Sequence, residues 1–206
     1  MTTGPLTDRG RRTREQVLDA ARTVFEERGY DGTRMSDIAR AAGVSHGTVY
    51  TYFGAKDDVL RAACTRFVAQ VLDEVRVPDD QRADPVHRVR EGHRRFLATY
   101  IAHARMLAVV EQAAIDDRYF RDVVEQLRTM FVQRAEGALR QFQAEGAADR
   151  GLDPALVAPA LVGMVEAFAR RWHDHPGKGQ RYDPEQVVAV LSDLWIRATG
   201  LKGVPR

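Results

Sequence analysis

Within twelve residues, Ser45 to Lys56, the chain sets out the hydroxyls of Ser45 and Thr48 among others, an imidazole (His46), two phenols (Tyr50, Tyr52) and an ammonium (Lys56), with Gly47 among them. Such side chains hydrogen-bond, stack and meet phosphate charge, and none is a nucleophile matched to a base. No Ser or Cys elsewhere can be picked out as paired with a His and an Asp. His173-Asp174-His175 has the look of a metal clip, but it lies beside Pro176 at a helix end with no third ligand indicated, and it reads as a loop terminus. No Glu-x-x-His occurs, which removes the usual di-iron bundle signature. Gly177-Lys178-Gly179 lacks the preceding strand and the following Ser or Thr of a phosphate loop. No metal and no cofactor are expected, and an all-helical enzyme stays only as a remote alternative.

The residues around this cluster explain how it is held. From Ile38 to Phe53 the sequence reads Ile-Ala-Arg-Ala-Ala-Gly-Val-Ser-His-Gly-Thr-Val-Tyr-Thr-Tyr-Phe. Ile38 and Ala39 form the buried face of one helix. Gly43 supplies the left-handed residue of a turn. Val44 plugs the corner, and Ser45 offers its hydroxyl to the first amides of a second helix. Val49 and Phe53, four apart, face the core. His46, Gly47, Thr48, Tyr50 and Tyr52 are left largely outward on two turns of helix. The pattern is a helix-turn-helix, and an exposed, hydroxyl- and aromatic-rich second helix has little structural reason of its own.

The chain of 206 residues is 44% hydrophobic and 29% charged, enough to bury a core and neither disordered nor fibrous in composition. Its longest nearly apolar run, Leu156 to Val165, is about half of the roughly 20 residues that a membrane span needs. No apolar segment follows the Arg-rich beginning, so secretion is not expected. The single cysteine, Cys64, excludes an intramolecular disulfide and any multi-cysteine metal site, points to a reducing, cytoplasmic setting, and reads as a small buried hydrophobe. Net charge is +2. Residues 1–60 carry nine basic and nine acidic side chains, so a nucleic-acid surface must be a patch. Strand signals are absent, and the fold class is all-α. Helices are expected over about 13–28, with Thr13 and Gln16 as a capping box, then 35–42, 46–52, 56–76, 86–103, 104–115, 118–145, 154–173 and 184–199.

Residues 13 to about 60 resemble the N-terminal domain of the tetracycline-repressor (TetR) family. The matching features are Gly29-Tyr30, Ile38-Ala39, Ala42-Gly43-Val44-Ser45, Gly47-Thr48-Val49-Tyr50, Tyr52-Phe53, Lys56 and Leu60. The resemblance implies a ligand-responsive repressor: a DNA-binding domain over 1–56, with 1–10 as a flexible basic arm, and a helical regulatory and dimerisation domain over 57–206. It places the helix 46–52 in the major groove of a palindromic operator. His46, Gly47 and Tyr50 then lie near bases, with Ser45 capping the helix. Thr48, Tyr52 and Lys56 lie near phosphates, Ser36 starts the preceding helix, and Arg11, Arg12 and Arg14 flank the groove. Two departures stand out. Arg34 replaces a frequent Thr, which leaves Thr33 to cap the helix and lets Arg34 add a phosphate contact. Ala55 replaces a Ser or Asn cap, a loss that Asp57 and Asp58 offset in part through the helix dipole.

The partners expected are double-stranded DNA, a small-molecule effector and a second copy of the chain. An effector pocket is expected within 86–173, lined from among Phe96, Tyr100, Met106, Val110, Phe120, Leu127, Met130, Phe131, Met164 and Phe168, with His93, Glu111 and Glu166 as polar groups that orient the ligand. The apolar, Met-containing lining favours a lipophilic molecule. The resemblance implies a dimer interface built from the last two helices. Ala160, Gly163 and Ala167 permit close approach there, beside the stripe Val187, Leu191, Leu194 and Trp195. A helix-turn-helix protein without any small ligand is the alternative. The helix from Lys56 to about Arg76 runs from the motif beneath the expected pocket and is read as a lever.

Overall fold

Thr7 opens the first helix. Its backbone is extended, and its Oγ1 accepts the amide of Gly10 at 3.2 Å. Helix α1 therefore runs Asp8–Arg28, earlier than the Thr13 start expected, because Thr7 supplies the cap that Thr13 was assigned. Thr13 lies inside the helix and donates its hydroxyl to the Arg9 carbonyl at 3.0 Å, while Gln16 Nε2 donates to the Ala42 carbonyl at 2.7 Å. Arg9, Arg11, Arg12 and Arg14 are consequently all helical, and residues 8–10 of the stretch expected as a flexible arm belong to α1. The chain is described by a computed structural model that covers residues 7–76, 84–173 and 183–203. The loop expected at 175–179 lies outside the described residues.

Seven more helices follow: α2 (Met35–Ala41), α3 (His46–Tyr52), α4 (Lys56–Glu74), α5 (Pro85–Ala113), α6 (Arg118–Ala144), α7 (Pro154–His173) and α8 (Pro184–Thr199), with no strand among the described residues. The break expected near residue 104 is absent. Ile101 to Met106 contains neither Gly nor Pro, and nothing there opposes helix propagation. α5 is one helix of 29 residues, about 44 Å long.

The chain divides into two compact units. The first holds residues 1–70 and 105–124, the second residues 71–104 and 125–206. The unit around the motif is thus larger than residues 1–56, and α4, α5 and α6 each contribute residues to both units. In the first, Val17, Phe25, Ile38, Val49, Val59 and Leu60 are fully buried, as are Met106, Val110 and Phe120. Each such side chain contributes roughly 1.5–3 kcal/mol by leaving water.

Two apolar clusters hold the second unit. One joins Leu97 to Val165, Ala169, Val187, Val188 and Leu191, with Tyr100, Met164, Phe168 and Trp172 packed on it. The other joins Leu139 and Phe142 to Ala148 and Leu201. α8 is capped by Asp183, whose side chain accepts the Glu185 amide. It ends on left-handed Gly200 (φ 60°), where a side chain would be strained.

Candidate nucleic-acid interface and effector cavity

The turn between α2 and α3 follows from local chemistry. Gly43 has φ 64°, and the Val44 amide donates to the Ala39 carbonyl at 3.1 Å. Ser45 Oγ accepts the Thr48 amide at 3.1 Å, and the Ser45 and Thr48 hydroxyls lie 2.8 Å apart. Val49 and Phe53 are buried as expected. His46, Gly47 and Tyr50 are exposed, while Thr48 and Tyr52 are half-buried. The rings of His46 and Tyr50 meet edge-on, centroids 4.9 Å apart. α3 carries no carboxylate, so a phosphate backbone would meet no like charge on it.

Gly47 is the least expected residue on this face. It is not among the glycines with positive φ, and a Cβ built on it meets only Ser45 Oγ, at 3.9 Å. Neither backbone conformation nor packing within the chain requires a glycine there. A helical glycine costs roughly 0.5–1 kcal/mol relative to alanine.

The flanking cations are distributed unevenly. Arg11 is paired with Asp8, and Arg12 is exposed without an ion pair among the described residues. The Arg14 guanidinium lies over the Phe53 ring, 5.2 Å from its centroid. Arg34 and Ser36 are exposed at the start of α2. Thr33 does not cap that helix. It is buried and donates to the Gly29 carbonyl at 2.7 Å, while Asp37 reaches back to the Arg34 amide at 3.2 Å.

Lys56 is already engaged. Its Nζ donates to the Tyr30 carbonyl at 2.8 Å and sits 4.0 Å from the Tyr30 ring centroid. Tyr30 in turn donates its hydroxyl to Asp57 and its amide to Gln112 Oε1 at 2.9 Å, and Gln112 Nε2 donates to Asp31 at 2.7 Å. Burial first, and then the bond to Asp57, hold the Tyr30 phenol above its ordinary range. Arg61 pairs with Asp117 and lies over the ring of Tyr119. Together these contacts tie the loop after α1 and the start of α4 to the α5–α6 junction, within the first unit. Sequence reading missed Gln112 as a partner, since 82 positions separate it from Tyr30.

A cavity of about 380 Å³ lies in the second unit, within the usual range for small-molecule sites. Phe96, Phe131, Phe142, Val165 and Trp195 line it with His93, Arg88 and Arg134. His93 Nδ1 is 2.9 Å from Ser192 Oγ, its ring meets Trp195 edge-on at 6.1 Å, and burial pushes its pKa down to about 4. Of the ten residues expected to line a pocket, Phe96 and Phe131 do. Tyr100, Met164 and Phe168 pack on the second unit's core, and Leu127 and Met130 are half-buried away from the cavity. Met106, Val110 and Phe120 belong to the other unit, because residues 105–124 pack with the motif. Of the three polar candidates His93 alone reaches the cavity. Glu166 pairs with Arg128 at 3.2 Å, and Glu111 lies in the first unit.

The stripe proposed for dimerisation splits. Val187, Leu191 and Trp195 are buried in their own unit, so they serve the chain's own core. Leu194 is 48% exposed, as is neighbouring Val190 at 59%, and Ala160, Gly163 and Ala167 are exposed on α7 with Leu156. Cys64 is buried and its thiol pushed up to about 11 by that burial, as a packed hydrophobe should be.

Residues 17–63 match the family model of bacterial regulatory proteins, tetR family. The HTH-type transcriptional repressor KstR2 of Rhodococcus jostii (strain RHA1) is 29% identical over 190 residues, 89% of this chain and 90% of the relative. The solved structure of a TetR-like transcriptional regulator from Rhodococcus sp. RHA1 superimposes with a TM-score of 0.71 at 26% identity, covering 90% of this chain and 95% of that one. The transcriptional regulator FadR from Bacillus subtilis, solved in complex with stearoyl-CoA, shares the fold at 22% identity and a TM-score of 0.65, over 87% of this chain and 96% of that one.

Proposed function

Since the chain belongs to the TetR family of bacterial transcriptional regulators, we propose that it acts as a dimeric, cytoplasmic repressor. In this reading α3 enters the major groove of a palindromic operator, and a lipophilic effector in the cavity releases the DNA. The effector's class is supported by the apolar cavity wall and by the stearoyl-CoA of the Bacillus relative. The sign of the response is supported by the repressor that resembles this chain over most of its length. An effector that prefers an arrangement of the two DNA-reading heads other than the one the operator fits must weaken operator binding, with coupling of about 1–3 kcal/mol. The reading assigns the chain no turnover of its own.

The observation that carries the DNA reading is Gly47, a glycine that nothing among the described residues requires, in the first turn of an outward-facing helix. Close approach of an external surface accounts for it, and Gly47→Ala separates stability from binding. On a duplex enriched from a random pool by the wild-type protein, the variant should bind at least tenfold more weakly, about 1.4 kcal/mol. It should also be more stable by roughly 0.5–1 kcal/mol. A variant that is more stable and binds as tightly as wild type would show that α3 does not approach the bases at this point.

A further inference from the structure

Along α5 and α6 the two cations at the cavity differ from the other arginines of the second unit. Along α5, Arg90 pairs with Asp193, Arg94 with Glu185 and Arg95 with Glu91; along α6, Arg128 pairs with Glu166 and Arg140 with Glu136. The two arginines that line the cavity depart from this. Arg88 donates to the neutral amide of Gln141 at 2.9 Å and lies over the Phe142 ring, and neither it nor Arg134 has a carboxylate partner among the described residues. Among the described residues the cavity lining contains no Asp or Glu. Two guanidiniums without counter-ions beside a mostly apolar hollow match one ligand chemistry: an anion attached to an apolar body. Guanidinium forks suit carboxylate and phosphate geometry in particular.

We propose that the cavity takes an amphipathic anion, its acid group held by Arg88 and Arg134 and its apolar body lying against Phe96, Phe131 and Trp195. This rests on the reading of the cavity as the effector site. The geometry of α5 gives the molecule its length. Arg88 and Phe96 are eight residues apart on one helix, about 12 Å, and the Phe96 ring meets Phe131 edge-on at 5.1 Å. Gly92 lies between them, and a Cβ there meets nothing within 4 Å, so the cavity is open against the helix backbone. His93 adds a hydrogen-bonding group in the wall. Because burial keeps it neutral at physiological pH, the positive charge stays with the two arginines.

The test compares decanoate, decyl phosphate and methyl decanoate by isothermal titration of the full-length protein, and in parallel by their effect on the operator complex. The proposal expects at least one of the two acids to bind tenfold or more tightly than the ester. Which acid is tighter identifies the head group as carboxylate or phosphate. Arg134→Gln, which breaks no hydrogen bond or ion pair among the described residues, should bring the acid close to the ester's affinity, and Arg88→Gln should act in the same direction. An ester that binds as tightly as both acids, or an acid preference that survives in the double variant, would overturn the anion proposal and leave the cavity as a site for neutral lipophiles. If none of the three binds or shifts the operator complex, the cavity's role as effector site falls as well.

Discussion

Lys56 illustrates what one side chain is asked to do here. Its place in the motif implied a phosphate contact, yet its ammonium is spent on the Tyr30 carbonyl and ring. A charge-assisted hydrogen bond of this kind is worth about 1.5–3 kcal/mol. Lys56→Ala should therefore lower stability by a comparable amount in urea denaturation and, by loosening the start of α4 without removing a base contact, should weaken binding to specific and random DNA alike. An unchanged denaturation midpoint together with a selective loss on the operator would show the opposite role. The residues legible from the sequence are those whose partners are a few positions away. Ser45 and Gly43 do what their types dictate because cap and turn close within three or four residues. Tyr30 and Gln112 were not legible, because their contacts are settled only once α5 has packed against the loop after α1.

Elements were legible where the chain punctuates itself. Asp183-Pro184 opens α8 and Gly200 closes it, while Pro85 opens α5. They were misread where an expected break had no Gly or Pro behind it, as at residue 104, and where an earlier cap competed, as Thr7 did with Thr13. The joint before α4 is of a third kind. Ala55 offers no side-chain cap, but Asp58 Oδ2 accepts the Ala55 amide at 3.0 Å, which is one half of a capping box. Ala55→Ser supplies the other half and should stabilise the protein by about 0.5–2 kcal/mol. α4, with 19 residues, is about 28 Å long and runs from the motif into the second unit. If it transmits the effector's signal, stiffening its first turn should change the effector-induced loss of operator affinity more than operator affinity itself. Operator titrations of both proteins with and without effector measure this, and identical fold-changes with an unchanged melting temperature would rule the lever out.

At the scale of the molecule, the sequence showed an apolar stripe on α8 but not which way it faces. Periodicity gives the face of a helix and not its neighbour. Val187, Leu191 and Trp195 turn inward, leaving Val190 and Leu194 outside with Leu156 of α7. If a second copy covers these residues, as we propose, Val190→Glu and Leu194→Glu should give folded monomers that have lost operator binding. An obligate interface buries about 2,000 Å² or more and does not tolerate a buried unpaired carboxylate. Leu191→Glu should instead unfold the second unit. Unchanged elution volumes for the Val190 and Leu194 variants at micromolar concentration would place the interface elsewhere.

Whether a dimer reads the major groove with α3 is decided by guanine-N7 methylation interference on the selected duplex. N7 lies only in the major groove. Two heads in successive major grooves give interference in two symmetric patches on one face of the duplex, centred about one helical turn apart, roughly 34–36 Å, or a multiple of that distance. In a Tyr50→Ala or His46→Ala variant the pattern should weaken at particular bases within each patch. A single patch, or binding that is indifferent to N7 methylation throughout, would contradict groove reading by a dimer.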